Sequence, residues 1–516
     1  MSRALHLHVP SIDARPVSRV RSQAVANWQP IMRVFLPFAF GYYLSYLFRT
    51  INALISPALI ADFGLRPAEL GFLTSAYFLA FGLIQLPLGV MLDRYGPRRV
   101  QSAFLIAAAL GAGVFATAQS LTGLLAGRAL IGLGVAGALM AGLKAITLWF
   151  PKDRIALANG WFVMLGALGA VTATTPIELL LAGMGWRSVF AILTGLTVLS
   201  AAAIFIAVPE RPATANATTT ASAVGIKTIF ADPRFWRLAP LSATTIGTAW
   251  ALQGLWAAPW LTDVDGFDRP VVVRHLLVMA IALSAGALLF GLCADRLRRR
   301  RVPPQTLLAM ASGLAIAAQI ALVLRFPLSS YLLWGVIGAV GAVTVLSFAI
   351  VTGLFPPEAT GRANGALNLL HVGYAFFVQS AVGVVVQFWP GDHGHYPAIA
   401  YQTAFAVNLA IQTGALLWFV RPSPAKHTML LAAHPIHRPS NRSTDQPDNA
   451  AHASLAYRHA AKDWAFQLRA AHLQVQTWRI AAAGMLLIMV LLSALLMSAT
   501  LDAQARPYLI EMEAGQ

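Results

Sequence analysis

A cation in the middle of an apolar helix costs about 2.5–3.5 kcal/mol on membrane-insertion scales, so a chain keeps one there for a reason. Three cations stand in such places here. Arg49 lies inside the apolar stretch that begins near residue 33, in the run Tyr42-Tyr43-Leu44-Ser45-Tyr46-Leu47-Phe48-Arg49-Thr50. Tyr42, Tyr46 and Arg49 recur at helical spacing and share one face. Lys144 sits roughly 9 Å from one end of a later apolar stretch at 1.5 Å per residue, and Arg128 lies toward the other end. No carboxylate stands at comparable depth in this part of the chain, so unpaired Arg49 and Lys144 suit an anionic ligand, an organic acid or a phosphate. Snorkelling to the interface competes as the account of Lys144, and a structural or coupling role competes for Arg128.

Further along, one apolar segment offers Trp250, Gln253 and Trp256, and another offers Asn364, Asn368, His371 and Tyr374 as a polar stripe at helical spacing. His371 can carry a proton near neutral pH or hydrogen-bond a neighbouring helix, and both readings stay open. No nucleophile motif, metal-ligand cluster or phosphate-binding glycine loop is present in the sequence, so neither catalysis nor a cofactor is expected. The single cysteine, Cys293, excludes an internal disulfide framework.

These residues need helices in a bilayer to position them. The chain has 516 residues, 58% hydrophobic and 11% charged, far from the roughly 25% charged of soluble domains. Twelve apolar segments are read as membrane helices, near 33–58, 70–90, 101–118, 123–149, 158–180, 187–208, 236–261, 272–292, 304–324, 329–354, 363–388 and 399–420. The net charge of +17 sits in alternate loops between them, which orients a membrane protein and does not indicate nucleic acid. Cytoplasmic loops then receive Arg94, Arg98 and Arg99, then Lys152 and Arg154, then Arg296 to Arg301, while few basic residues fall on the other side. The expected organisation is a cytoplasmic tail (1–30), six helices (31–208), a linker (209–235), six helices (236–421), a second linker (422–478) and a thirteenth apolar helix with a short periplasmic end (479–516).

Two loops carry the same design about 200 residues apart: Gly89-Val-Met-Leu-Asp93-Arg94-Tyr-Gly96-Pro-Arg98-Arg99 and Gly291-Leu-Cys-Ala-Asp295-Arg296. Asp93, at a helix end, can accept from a neighbouring helix N-terminus and pair with Arg94 or Arg98, while Gly89 and Gly96 permit close helix approach and a tight turn. Such a charged latch holds one conformation and releases in another. A carboxylate at the same place in both repeats has no orientation role, so Asp93 and Asp295 are read as latch residues and Arg298 to Arg301 as membrane anchoring.

The first loop resembles the signature between spans two and three of the major facilitator superfamily, and the second its weaker copy. Gly127-Arg128-Ala-Leu-Ile-Gly132-Leu-Gly134 is similar to that superfamily's span-four element. The resemblance covers about 33–421 and implies two six-helix bundles that move a small molecule by alternating access, with a proton as a candidate coupled ion. Expected substrate contacts are Arg49, Tyr42, Tyr46, Lys144, Gln253, Trp256, Asn368 and His371. Arg49 also fits the organic-anion branch, which carries an arginine in span one.

Residues about 450–516 resemble the amino-terminal part of the TrbF-type inner-membrane subunit of conjugative type IV secretion systems. The matching residues are Ala456-Tyr457, Trp464, Gln476-Thr477-Trp478-Arg479 and Arg506-Pro507-Tyr508-Leu509-Ile510-Glu511. That resemblance implies a secretion-complex partner for the tail. The rival to transport is then a membrane scaffold or assembly subunit of a secretion complex; a separate alternative is a drug or metabolite exporter, for which a membrane-embedded carboxylate is expected.

Overall fold

The computed structural model describes residues 29–151, 154–210, 225–299, 302–356, 359–391 and 395–421; within them, the side chains of Ala156, Leu288 and Gly291 to Arg299 are not described. Its regular elements are helices. The first block comprises α1 (Leu36–Thr50), α2 (Asn52–Phe63), α3 (Pro67–Thr117), α4 (Leu121–Val135), α5 (Ala138–Trp149), α6 (Ile155–Thr172) and α7 (Thr175–Ala207). The second comprises α8 (Ile226–Ala231), α9 (Pro233–Ala251), α10 (Ala257–Pro259), α11 (Arg269–Arg299), α12 (Pro304–Val323), α13 (Ser330–Val340), α14 (Thr344–Thr352), α15 (Thr360–Val386) and α16 (Ala398–Val420).

Nine helices among the described residues are long and apolar enough to cross a membrane, and each of the twelve apolar segments read from the sequence falls on helix. The counts differ partly because α3 and α7 each continue through a turn at a glycine with positive φ, Gly96 (77°) and Gly185 (72°). Only a residue without a Cβ adopts that geometry freely. The expected linker ends earlier than 235, because Ile226–Ala231 is already helical and Asp232 caps α9 by accepting from the Arg234 N–H. The thirteenth apolar segment and its flanks, residues 422–516, lie outside the described residues.

Breaks interrupt otherwise continuous helix at Ile51 between α1 and α2, at Ala136-Gly137 between α4 and α5, at Ala173-Thr174 between α6 and α7, at the π-helical turns Leu252–Trp256 and Trp260–Val264, and at the 3-10 turn Gly341–Val343. A broken helix frees backbone groups that lipid cannot satisfy, so such breaks are tolerated where protein or a polar cavity surrounds them. Here Val135, Ala136, Gly341 and Ala342 line a cavity between the two blocks.

The blocks meet at one end through ion pairing and close backbone approach. Arg269 of α11 donates to Glu178 of α7 and to the Leu54 carbonyl. Ser380 Oγ donates to Ser75 Oγ at 2.8 Å, and a Cβ on Gly383 would overlap the Pro67 carbonyl. At the opposite end the described ion pairs of the first block stay within it.

Candidate functional site

A cavity of about 270 Å³ lies between the blocks, reaching from Arg49, Tyr77 and Trp250 toward Leu143, Asn159 and Phe348. Arg49 carries the one formal charge among its described lining residues. The guanidinium carbon of Arg49 sits 4.0 Å from the Tyr46 ring centroid and 4.7 Å from that of Trp250. These two aromatic faces, one from each block, hold the planar cation without neutralising it. Nε and Nη2 of Arg49 are buried and bond to no protein group among the described residues. An unpaired guanidinium N–H is costly in a dry site and strongly favours a carboxylate or another planar anion.

The remaining polar lining is neutral. Tyr42 and Tyr46 share a hydrogen bond of 3.4 Å between their hydroxyls, and Tyr42 stacks on Phe162 at 5.1 Å. Gln85 of α3 donates to the Ala136 carbonyl at 3.3 Å, satisfying a group freed by the break between α4 and α5. Asn368 of α15 donates from Nδ2 to Gln85 Oε1 at 3.0 Å, a bridge between the blocks at the cavity wall. The sequence reading missed Gln85, Tyr77 and Asn159; the available signal was a glutamine in the apolar run Phe81-Gly82-Leu83-Ile84-Gln85-Leu86.

Of the expected contacts, Arg49, Tyr42, Tyr46 and Asn368 line the cavity, and Trp250 belongs with them. Lys144 does not: its ammonium donates to Leu92 O at 2.9 Å and pairs with the Asp93 carboxylate. The expectation of an unpaired Lys144 overlooked that the helix end carrying Asp93 lies beside it. Trp256 is fully buried with Nε1 on the Gln379 carbonyl at 3.0 Å, and it packs where Gly71 leaves room. Gln253 sits 5% exposed on the π-helical turn, away from the cavity lining. His371 is fully buried behind Trp250, its Nε2 2.7 Å from Ser242 Oγ, so it bonds between helices. Asn364 accepts from Thr352, and Tyr374 donates to Asn408, so the polar stripe of α15 is divided among several partners.

The latch is built differently from the expected Asp93–arginine pair. Asp93 pairs with Lys144; Arg98 donates to the Phe205 carbonyl at 2.8 Å; Arg99 bonds Glu210 at 2.5 Å; Arg94 lies over its neighbour Tyr95. Gly96 supplies the expected turn, whereas a Cβ on Gly89 would meet nothing within 4 Å, so Gly89 is not a close-approach site. Asp295 and Arg296 fall near the end of α11, and their side chains lie outside what is described. In α4, Arg128 is fully buried and donates to Phe48 O at 3.0 Å with Tyr77 beneath it, while Gly132 and Gly134 let the backbones of Tyr77 and Ala108 approach.

The sequence pattern of the Major Facilitator Superfamily matches residues 38–378. The chain belongs to that family. Its proteins are transporters and not enzymes, and this member is a multi-pass membrane protein. It is similar to a hexuronate transporter of Escherichia coli, 26% identical over 268 residues, which is 49% of this chain and 62% of that relative. A nitrate/nitrite transporter of Picosynechococcus is 33% identical over 131 residues, 25% of this chain and 24% of that one. The chain thus spans less than two thirds of the length of these relatives. Among solved structures, a bacterial homolog of the human lysosomal transporter Spinster, inward-facing and unoccupied, superposes with a TM-score of 0.57 at 20% identity, covering 77% of this chain and 95% of that one. That likeness concerns the fold.

Proposed function

We propose that this member of the family is a secondary transporter that moves a small organic anion across a bacterial inner membrane by alternating access, with Arg49 holding the anion. The observation that carries the reading is the Arg49 guanidinium, facing the cavity with Nε and Nη2 unpartnered and no described carboxylate on the lining. An anion there gains charge-assisted hydrogen bonds that no protein group provides. The names of the two relatives, hexuronate and nitrate/nitrite transporters, both designate anions.

The arrangement proposed is twelve spans in two six-helix bundles, with the turns at Gly96 and Gly185 each joining two spans. The end carrying Asp93, Lys144 and Glu210 is cytoplasmic on the placement of basic residues. The block contacts at Glu178 and Arg269 then close the outer side, an inward-open state. The segment 450–516, with its resemblance to a TrbF-type subunit, is proposed to be dispensable for transport; a chain truncated near 450 is expected to transport normally.

The test of the anion site is thermal stabilisation of the purified protein by organic acids, sugar acids, amino acids and cationic drugs. A ligand at 100 times its Kd adds about 2.7 kcal/mol. Stabilisation by an acid that vanishes in Arg49→Ala supports the reading; stabilisation by a cationic drug that survives Arg49→Ala sinks it.

A further inference from the structure

The Gln85–Asn368 bridge has a fixed direction. Gln85 Nε2 faces two carbonyls, Ala136 O at 3.3 Å and Phe81 O at 3.4 Å, and a carbonyl can only accept. The amide nitrogen must therefore stay there, which turns Oε1 toward Asn368. Asn368 must then donate from Nδ2, at 3.0 Å. Its own Oδ1 accepts from no protein group among the described residues and is not sealed in the interior; the residue is 6% exposed and lines the cavity. Gln85 is 4% exposed and its amide nitrogen serves two carbonyls, so the Gln85 end of the relay is not free to turn over, and Asn368 is oriented through it.

We infer that Gln85 and Asn368 form a selectivity relay: Gln85 holds the Asn368 amide by its nitrogen so that Oδ1 is fixed as a hydrogen-bond acceptor on the cavity wall, and the anion bound at Arg49 is one that also carries a hydroxyl donor. This rests on the anion site proposed above and adds the second half of the recognition. An acid with no hydroxyl leaves Oδ1 unpaired, whereas a polyhydroxy acid satisfies the Arg49 donors and the Asn368 acceptor together. Asn368 contacts substrate; Gln85 is a positioning residue that acts through it. The same bond joins the two blocks, so a hydroxyl that competes for Asn368 also bears on a contact the blocks share.

The experiment compares the affinities of gluconate and hexanoate, six-carbon monocarboxylates with and without hydroxyls, by ligand-induced thermal shift on the full-length protein. The wild type is expected to favour gluconate. Asn368→Leu should cut the gluconate-to-hexanoate ratio roughly threefold to tenfold, one hydrogen bond's worth. Asn368→Ser, whose hydroxyl can accept, should recover part of it. Gln85→Leu, which frees the Asn368 amide to turn, should lower the same ratio, and adding Asn368→Leu to it should lower the ratio little further. Arg49→Ala should weaken both acids alike. If hexanoate and gluconate bind equally through Arg49, or if the ratio is unchanged in Asn368→Leu, the relay is wrong while the anion site stands. If neither acid binds the folded wild type, both are wrong.

Discussion

Arg269 grips Glu178 with two hydrogen bonds, 2.8 Å from Nε and 2.6 Å from Nη2, and its Nη2 also reaches the Leu54 carbonyl at 2.7 Å. One side chain of the second block thereby holds both the α7 carboxylate and the backbone of α2. A two-pronged guanidinium–carboxylate pair is among the stronger polar contacts a protein makes, and this one is half-buried at the end where the blocks touch. If the cavity opens at that end, this pair must part. Glu178→Gln keeps the shape and removes the charge, so the closed arrangement should lose population by roughly tenfold. A cysteine at Ser75, buried against Ser380, reports this by its rate of thiol labelling in a Cys293→Ser background. An unchanged labelling rate would show that the pair does not govern closure.

The Asp93–Lys144 pair makes a contrasting prediction. Lys144 is 28% and Asp93 82% exposed, so the bond is a screened one of modest strength. It joins the end of one helix to the flank of another and lies off the cavity. Lys144→Met should therefore leave anion affinity within about twofold of the wild type and slow transport by roughly twofold to fivefold. Exchanging the two charges, Asp93→Lys with Lys144→Asp, should restore the rate. A loss of affinity in Lys144→Met as large as that in Arg49→Ala would return Lys144 to the binding site.

Asp62 supplies a pH dependence. The Trp186 indole N–H at 2.9 Å, and after it the Arg187 guanidinium at 2.7 Å, hold its carboxyl below the usual range. A depressed folded-state pKa contributes stability above the unfolded value near 3.9, and that contribution is lost as pH falls through the lower folded value. Asp62→Asn should thus lower Tm at pH 6–7, with the gap to wild type closing as pH falls from about 5 toward 3. A gap that stays constant over that range would mean the ionised carboxylate is not what stabilises the site.

Apolar runs and alternating basic loops made the helices legible, because lipid tolerates little else than helix. Arg49 stood out for a related reason: a guanidinium in an apolar run is costly, and the structure puts it on the cavity wall between the Tyr46 and Trp250 rings. Lys144 misled because the cost argument cannot see a partner that the fold brings from α3, 51 residues earlier in the chain. His371 and Trp256 misled because a polar atom on a helix faces whichever neighbour packing supplies, and here those neighbours are Ser242 and the Gln379 carbonyl. Gln85 escaped notice because its task is set by a helix break at Ala136, which glycine and alanine in a run of small residues do not announce.

Gly132 shows the packing limit most sharply. A Cβ at this position would overlap the carbonyl of Tyr77, and that backbone cannot swing away as a flexible side chain would. Tyr77 is pinned: its hydroxyl reaches Ser45 O at 3.5 Å, its ring lies 5.2 Å from the Arg128 guanidinium, and it lines the cavity. Gly132→Ala should cost about 1–3 kcal/mol by overpacking and displace the cavity wall, so thermal stability and anion affinity fall together. Gly160→Ala is the matched control, because a Cβ there meets nothing within 4 Å and alanine is the better helix former. It should leave Tm unchanged or slightly raised. If Gly132→Ala behaved like Gly160→Ala, the close packing of α4 on α3 would not be what sets the position of Tyr77.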